Sequence, residues 1–173
     1  MNGALFSPCR QYRYRLWREA GFGEGRMTAL LLNPSTADQT TNDPTIERVW
    51  RRAQRLGFAR LDVVNLFALR STDPRRLRDH ADPVGPDNDA AILAACRDAA
   101  LVLCGWGEHG ALQDRAADVC RLLHRDSVRL HALGVNAGGA PTHPLYVGYR
   151  TPPRPYTPAG ASGQASGRPN ARV

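Results

Sequence analysis

The sequence predicts an α/β fold: a three-layer α/β/α sandwich with a mainly parallel central sheet. Apolar runs of strand length recur at residues 27–32, 60–65, 101–104 and 128–133. Stretches with apolar residues at helical spacing separate them, and the first three runs stop abruptly at Asn33, Asn65 and Gly105. Strands alternating with amphipathic helices build a sheet covered on both faces. The 173 residues suffice for one core. Residues 1–150 are expected to form a single domain, and 151–173, rich in Pro, Gly, Ser and Arg, a disordered tail.

In chain order, residues 11–18, QYRYRLWR, alternate polar with aromatic or apolar side chains, placing Tyr12, Tyr14 and Leu16 on one face. Gly21, Gly23 and Gly25 make a flexible turn, so this strand is expected to return into the 27–33 run as an N-terminal hairpin at the sheet edge. Arg13, Arg15 and Arg18 with interleaved aromatics offer a base-stacking surface. The favoured reading is a solvated sheet edge protected by charge. Asp43-Pro44 opens a helix, an Asp cap followed by Pro at the first helical position. Ile46, Val49, Trp50, Ala53 and Leu56 carry its apolar stripe to Gly57, with Arg48, Arg51, Arg52 and Arg55 largely on a solvated face. After the strand at 60–65 comes a long Pro- and Asp-rich connection, of a length usually functional or disordered. Residues 87–99 and 110–123 are the remaining helices, and a Gly-rich loop follows the last run.

In an open α/β sheet, ligands sit beyond the carboxyl ends of the strands. Asn33, Pro34, Ser35, Thr36, Asp38 and Asp43 follow the first core strand, although Asp43 is sufficiently explained as a helix cap. Asn65 ends the second, where one amide offers both a donor and an acceptor to a base edge. Arg70, just beyond it, is suited to a phosphate. Trp106, between two glycines, can stack on a planar ligand or wedge between strand and helix. His143, held by Pro144 in the last loop, is the candidate acid, base or electrophile. Each has a plainer structural reading as turn, cap or solvated surface.

Composition narrows the function classes. A net charge of +7, carried entirely by arginine, favours nucleic acid or nucleotides as partners. No apolar run reaches transmembrane length and the N-terminus lacks a signal-peptide core, so no membrane role and a cytoplasmic location are expected. The Gly-rich loop lacks the G-K-[ST] ending of a nucleoside-triphosphate hydrolase. Cys9, Cys96, Cys104 and Cys120 form no C-x-x-C pair, so buried reduced thiols are expected and no metal or other cofactor.

The blocks LNPSTAD, NDPTIERV, VVNLFALRSTDP, GPDND, GWG and GAPTHPLY run in order over residues 12–149. By them the chain is identified as a member of the bacterial and phage family catalogued as domain of unknown function 1643. More distantly, an N-P turn after the first core strand, an Asn ending a middle strand and a late H-P loop resemble the uracil-DNA glycosylase superfamily. That resemblance implies a glycosylase-like fold, with Asn33 or Asp38 orienting an attacking water, Asn65 reading the base and His143 stabilising the departing base anion. VVNLFALR also resembles a T-N-x-x-K-x-R block of the cluster-containing branch, whose cluster cysteines are missing here. Leu32 before the N-P turn, Leu145 after His143-Pro144 and Ala137 in the Gly-rich loop depart from the glycosylase pattern.

The function expected is therefore action on a nucleotide or nucleic acid, with hydrolysis of the N-glycosidic bond of a modified base as the catalytic form. The alternative is a non-catalytic nucleotide- or nucleic-acid-binding module using the same cleft. A hydrolase built on Ser35, His143 and Asp38 ranks last, because the G-x-S-x-G elbow is missing.

Overall fold

The computed structural model describes residues 1–158. Its sheet has seven strands: β1 (Gly3–Phe6), β2 (Arg13–Glu19), β3 (Arg26–Leu31), β4 (Arg60–Asn65), β5 (Leu101–Cys104), β6 (Leu130–Ala132) and β7 (Arg154–Pro155). Their order is β1-β2-β4-β3-β5-β6-β7. The four central strands, β4-β3-β5-β6, are parallel, whereas β1, β2 and β7 join antiparallel. The α/β class is as expected. The sheet is parallel only at its centre, a mixed sheet rather than a mainly parallel one.

Side-chain alternation along β3 explains why helices cover both faces. Met27, Ala29 and Leu31 point to one side and pack with Ile46, Val49 and Ala53 of α1 (Pro44–Arg55). Leu30 points to the other, among Ile92 and Cys96 of α3 (Asn88–Arg97) and Val119 and Leu123 of α4 (Arg115–Arg125). Thr28 shares that second face and keeps its hydroxyl satisfied by donating to the Ala95 carbonyl at 2.7 Å. The chain leaves β3 through α1 to reach β4 on one flank. It leaves β4 through α3, on the opposite face, to reach β5 on the other flank. Such a reversal opens a crevice at the carboxyl ends of the strands.

The N-terminal region differs from expectation. The hairpin is β1 with β2, not β2 with β3: strand β2 pairs with β4 on its other side. The cause is electrostatic. Asp62 of β4 is fully buried, and Arg15 of β2, Arg26 of β3 and Arg60 of β4 all reach its carboxylate. An interior place for β2 satisfies that charge, where a β2–β3 hairpin at the edge would not. Arg13 and Arg18 are accordingly 1% exposed rather than solvated.

Arg18 spreads its guanidinium over the loop after β3. It donates to the Asp38 carbonyl at 2.7 Å, the Asn42 Oδ1 at 2.8 Å and the Thr41 carbonyl at 3.2 Å. Arg52 of α1, expected on a solvated face, is also buried and donates to the carbonyls of Val147, Gly148 and Thr151.

Three further departures concern boundaries. The connection after β4 contains a short helix, α2 (Arg76–Asp79). The predicted helix at 110–123 is α-helical only from Arg115, as α4, and is preceded by a 3-10 segment, Glu108–Asp114, with non-helical Leu112 and Gln113. Residues 151–158 are not the disordered segment that composition predicts: β7 pairs with β6, and the Tyr156 ring meets Trp106 edge-on at 6.0 Å. The remainder of the expected tail, 159–173, lies outside the described residues. Cys96, Cys104 and Cys120 are buried free thiols, whereas Cys9 is exposed. Among the described residues no helix is long and apolar enough to cross a membrane.

Replacing Arg18 removes the charged donor shared by the Asp38 and Thr41 carbonyls and the Asn42 side chain. Arg18→Ala is expected to lower unfolding free energy by about 2–4 kcal/mol, read from the denaturant midpoint. An unchanged midpoint would mean that the loop does not depend on this side chain.

Candidate functional site

The carboxyl ends of β3, β4 and β5 and the loop after β6 open onto a cleft of about 560 Å³. Its lining includes Asn33, Ser35, Asn65, Trp106 and His143, five of the side chains singled out from the sequence.

Asn33 sits one residue past Leu32, where β3 gives way to the Asn-Pro turn. Its Nδ2 donates to the Ser71 carbonyl at 2.8 Å and the Pro34 carbonyl at 3.1 Å. Ser71 N–H returns a bond to the Pro34 carbonyl at 2.9 Å. These bonds use the amide nitrogen, so its Oδ1 is the atom left to accept a hydrogen bond.

Asn65, the last residue of β4, is 2% exposed, and its Oδ1 is buried without a partner. The strand end beneath it is held rigidly. Asn88 Nδ2 donates to the carbonyls of Asn65 and Leu66, each at 3.0 Å, and Arg115 Nε donates to the Leu66 carbonyl at 2.7 Å. An orphaned buried amide oxygen costs about 1–3 kcal/mol, and this one belongs to a residue that lines the cleft.

The GWG and HP motifs interlock. A side chain at Gly105 would meet Pro144 Cδ at 2.6 Å, so only glycine lets the His143-Pro144 loop seat on the end of β5. Gly107 has φ +68°, a conformation that turns the chain sharply after Trp106. Trp106 is 3% exposed and wedged against Gly110, leaving part of its indole as cleft wall. Trp106 is thus the wedge that the sequence offered as one reading, and it also lines the cleft.

His143 caps the short 3-10 turn Pro144–Tyr146, its Nδ1 accepting from Leu145 N–H at 3.3 Å. That bond places the ring proton on Nε2 and makes Nε2–H a donor. Burial pushes the imidazole pKa below its ordinary value, with Asp43 opposing. The ring is therefore neutral at pH 7.

Other predicted residues lie elsewhere. Asp38 lines no part of this cleft. Its Oδ1 accepts from Thr40 N–H at 2.9 Å and Thr41 N–H at 2.8 Å, bonds that also lower its pKa. Its carboxylate closes a turn instead of orienting water. Pro34 is buried and supplies a carbonyl to Asn33 and Ser71. Thr36 and Arg70 line a neighbouring cavity of about 440 Å³, into which Ser35 also opens.

The structure adds two residues that the sequence reading set aside. Asp43 lines the cleft while one carboxylate oxygen, Oδ1, caps α1 by accepting from Ile46 N–H at 2.8 Å. Capping uses that oxygen and leaves Oδ2, so the structural role did not exclude a second one. Arg13 also lines the cleft. Its Nη1 donates to the Ala37 carbonyl at 2.7 Å, its Nε is buried without a partner, and burial pushes its pKa down to about 10. Its signal was masked because the alternating pattern of β2 fits a solvated edge equally well. Among the described residues no three His, Cys, Asp or Glu side chains gather as a metal site requires.

A family profile matches residues 13–145. The chain belongs to the family described as Protein of unknown function (DUF1643). The match to DUF1643 begins at Arg13 and ends at Leu145, and so takes in Asn33, Asp43, Asn65, Trp106 and His143. No curated protein and no solved structure matches this chain.

Because the folded pKa of His143 lies below 6.5, the unfolded chain takes up the proton first. Stability is therefore lost as pH falls through about 6.5 toward the folded value, and is restored as pH rises. His143→Gln is expected to flatten this dependence between about pH 7 and pH 5, measured by denaturant unfolding. Equal slopes in the two proteins would place the imidazole in open solvent.

Proposed function

We propose that the cleft takes a nucleobase and that the protein hydrolyses the N-glycosidic bond of a modified base, in a uracil-DNA-glycosylase-like three-layer fold. The observation that carries this reading is the pairing of an orphaned base-reading amide, Asn65, with a neutral imidazole donor, His143, in one cleft.

The chemistry follows from the groups in place. The base slides against the Trp106 wall, and the Asn65 amide completes its unmade hydrogen bond on the base edge. Water, held by Asn33 Oδ1 and the free oxygen of Asp43, forms a bond to the sugar C1′. The C1′–N bond breaks and its electron pair leaves with the base. The water proton passes to Asp43, which takes over the role the sequence suggested for Asp38. Negative charge collects on a carbonyl oxygen of the departing base, where His143 Nε2–H donates to it. A neutral donor serves well there, since what the cleft must stabilise is charge that exists only in the transition state. A target base in a duplex would have to be extruded to reach the cleft, whereas a single strand or a free nucleotide enters directly.

A binding module without turnover is the competing reading. One observation favours it: Asn33 and Asp43 both carry structural bonds, to Ser71 and to the α1 N-terminus.

Oligonucleotides carrying uracil, hypoxanthine or other modified bases, incubated with the protein and probed for abasic sites, are expected to reveal strand breakage at one of these bases. Removing His143 or Asn33 as Ala is expected to lower the rate by about 100-fold or more. Tight binding with no abasic product would establish the module, and full activity in both variants would dismiss these roles.

A further inference from the structure

The second cavity, of about 440 Å³, adjoins the base cleft, and Ser35, Ser71 and Thr72 line both. Its chemistry is different. Arg10, Arg70 and Arg76 face it together with His80, hydroxyls of Ser35 and Thr36 open into it, and no carboxylate lines it. Among the described residues, none of these three arginines is in an ion pair, although carboxylates neutralise Arg15, Arg26, Arg60 and Arg115 elsewhere.

The guanidiniums are held together against their own repulsion. Arg10 and Arg70 lie over the same Phe6 ring, at 4.4 Å and 5.0 Å from its centroid, and Arg70 Nη1 donates to the Arg10 carbonyl at 3.2 Å. Arg70 Nε is buried without a partner. Arg10 adopts φ +58°, a left-handed conformation that a non-glycine residue takes only under constraint. His80 Nδ1 accepts from Asp82 N–H at 3.1 Å, which leaves Nε2–H as a further donor. Like charges gathered around donors, with no counter-charge supplied by the protein, are complementary to a dianionic oxygen-rich ligand.

We infer that this cavity is a phosphate subsite, built by Arg10, Arg70, Arg76 and His80 beside the base cleft, so that the substrate is a phosphorylated nucleotide unit. The inference rests on the reading of the larger cleft as a base site. Ser35, Ser71 and Thr72 form the partition between the two, where the sugar of such a unit would lie. The phosphate then anchors the substrate while the base is read by Asn65.

The test follows arginine Nε–Hε resonances of the isotope-labelled full chain during titration with inorganic phosphate at constant ionic strength. Saturable shifts are expected at Arg10, Arg70 and Arg76. Arg76→Gln should weaken phosphate by at least about fivefold, read at Arg10 and Arg70, and the Arg70→Gln/Arg76→Gln double variant should abolish the saturable shift of Arg10. His143→Ala should leave phosphate affinity unchanged, so failure of the base reading would not mimic failure of this site. Affinity for a deoxynucleoside 5′-monophosphate lost in the double variant would assign a phosphomonoester. Loss confined to a short single-stranded oligonucleotide without terminal phosphates would assign a strand phosphodiester. Shifts spread evenly over surface arginines such as Arg51 and Arg121, or equal phosphate affinity in a folded double variant, would overturn the inference.

Discussion

Two buried arginines of β2 hold the loop on which the cleft depends. Arg13 reaches the Ala37 carbonyl and Arg18 reaches those of Asp38 and Thr41, so both ends of the 37–42 turn are tied to the sheet. A polar loop with few apolar side chains has little to bury, and without these donors its carbonyls would turn to water. Because the loop is tied down, Asn33 before it and Asp43 after it are held in the lining of the cleft. The interior placement of β2 thus shapes the cleft as well as the sheet. Buried guanidiniums bound mainly to backbone carbonyls hold this loop as a hydrophobic staple holds others.

The remaining walls are fixed by packing against that frame. Gly105 admits Pro144, and Arg48 and Arg52 of α1 hold the carbonyls of Leu145, Val147 and Gly148. The His143 loop is therefore clamped from β5 and from α1 together. Asn65 is set from below by Asn88 and Arg115. The groups beneath the cleft are held rigidly, while Asn33 Oδ1, Asn65 Oδ1 and His143 Nε2 belong to lining residues and make no hydrogen bond among the described residues. Preorganised polar groups of this kind act on a ligand without having to reorganise first.

Much of this was legible in the chain. The apolar runs at β3 to β6 and the helices between them show their periods plainly, because each is buried on one or both faces. Asp43-Pro44 announced α1, and the strand-end positions of Asn33, Asn65, Trp106 and His143 brought them together as expected. What stayed hidden was long-range. The place of β2 beside β4 depends on Asp62 drawing arginines from three strands, and no local pattern encodes that. Strand β7 has two residues inside a Pro-rich stretch, too short for any period. Asp38 and Asp43 look alike in sequence, both acidic and both near turns. Only the geometry separates a carboxylate that closes a turn away from the cleft from one that caps a helix and lines it.

In the proposed function Asn65 and His143 meet the same planar ligand across one cleft. The direct measurement is heteronuclear NMR of the Asn65 side-chain amide and the His143 imidazole during titration with free nucleobases. A base that fits should shift both sets of resonances together, with a single dissociation constant. A panel of natural and modified bases that leaves the Asn65 amide unmoved, or moves it independently of His143, would contradict the account.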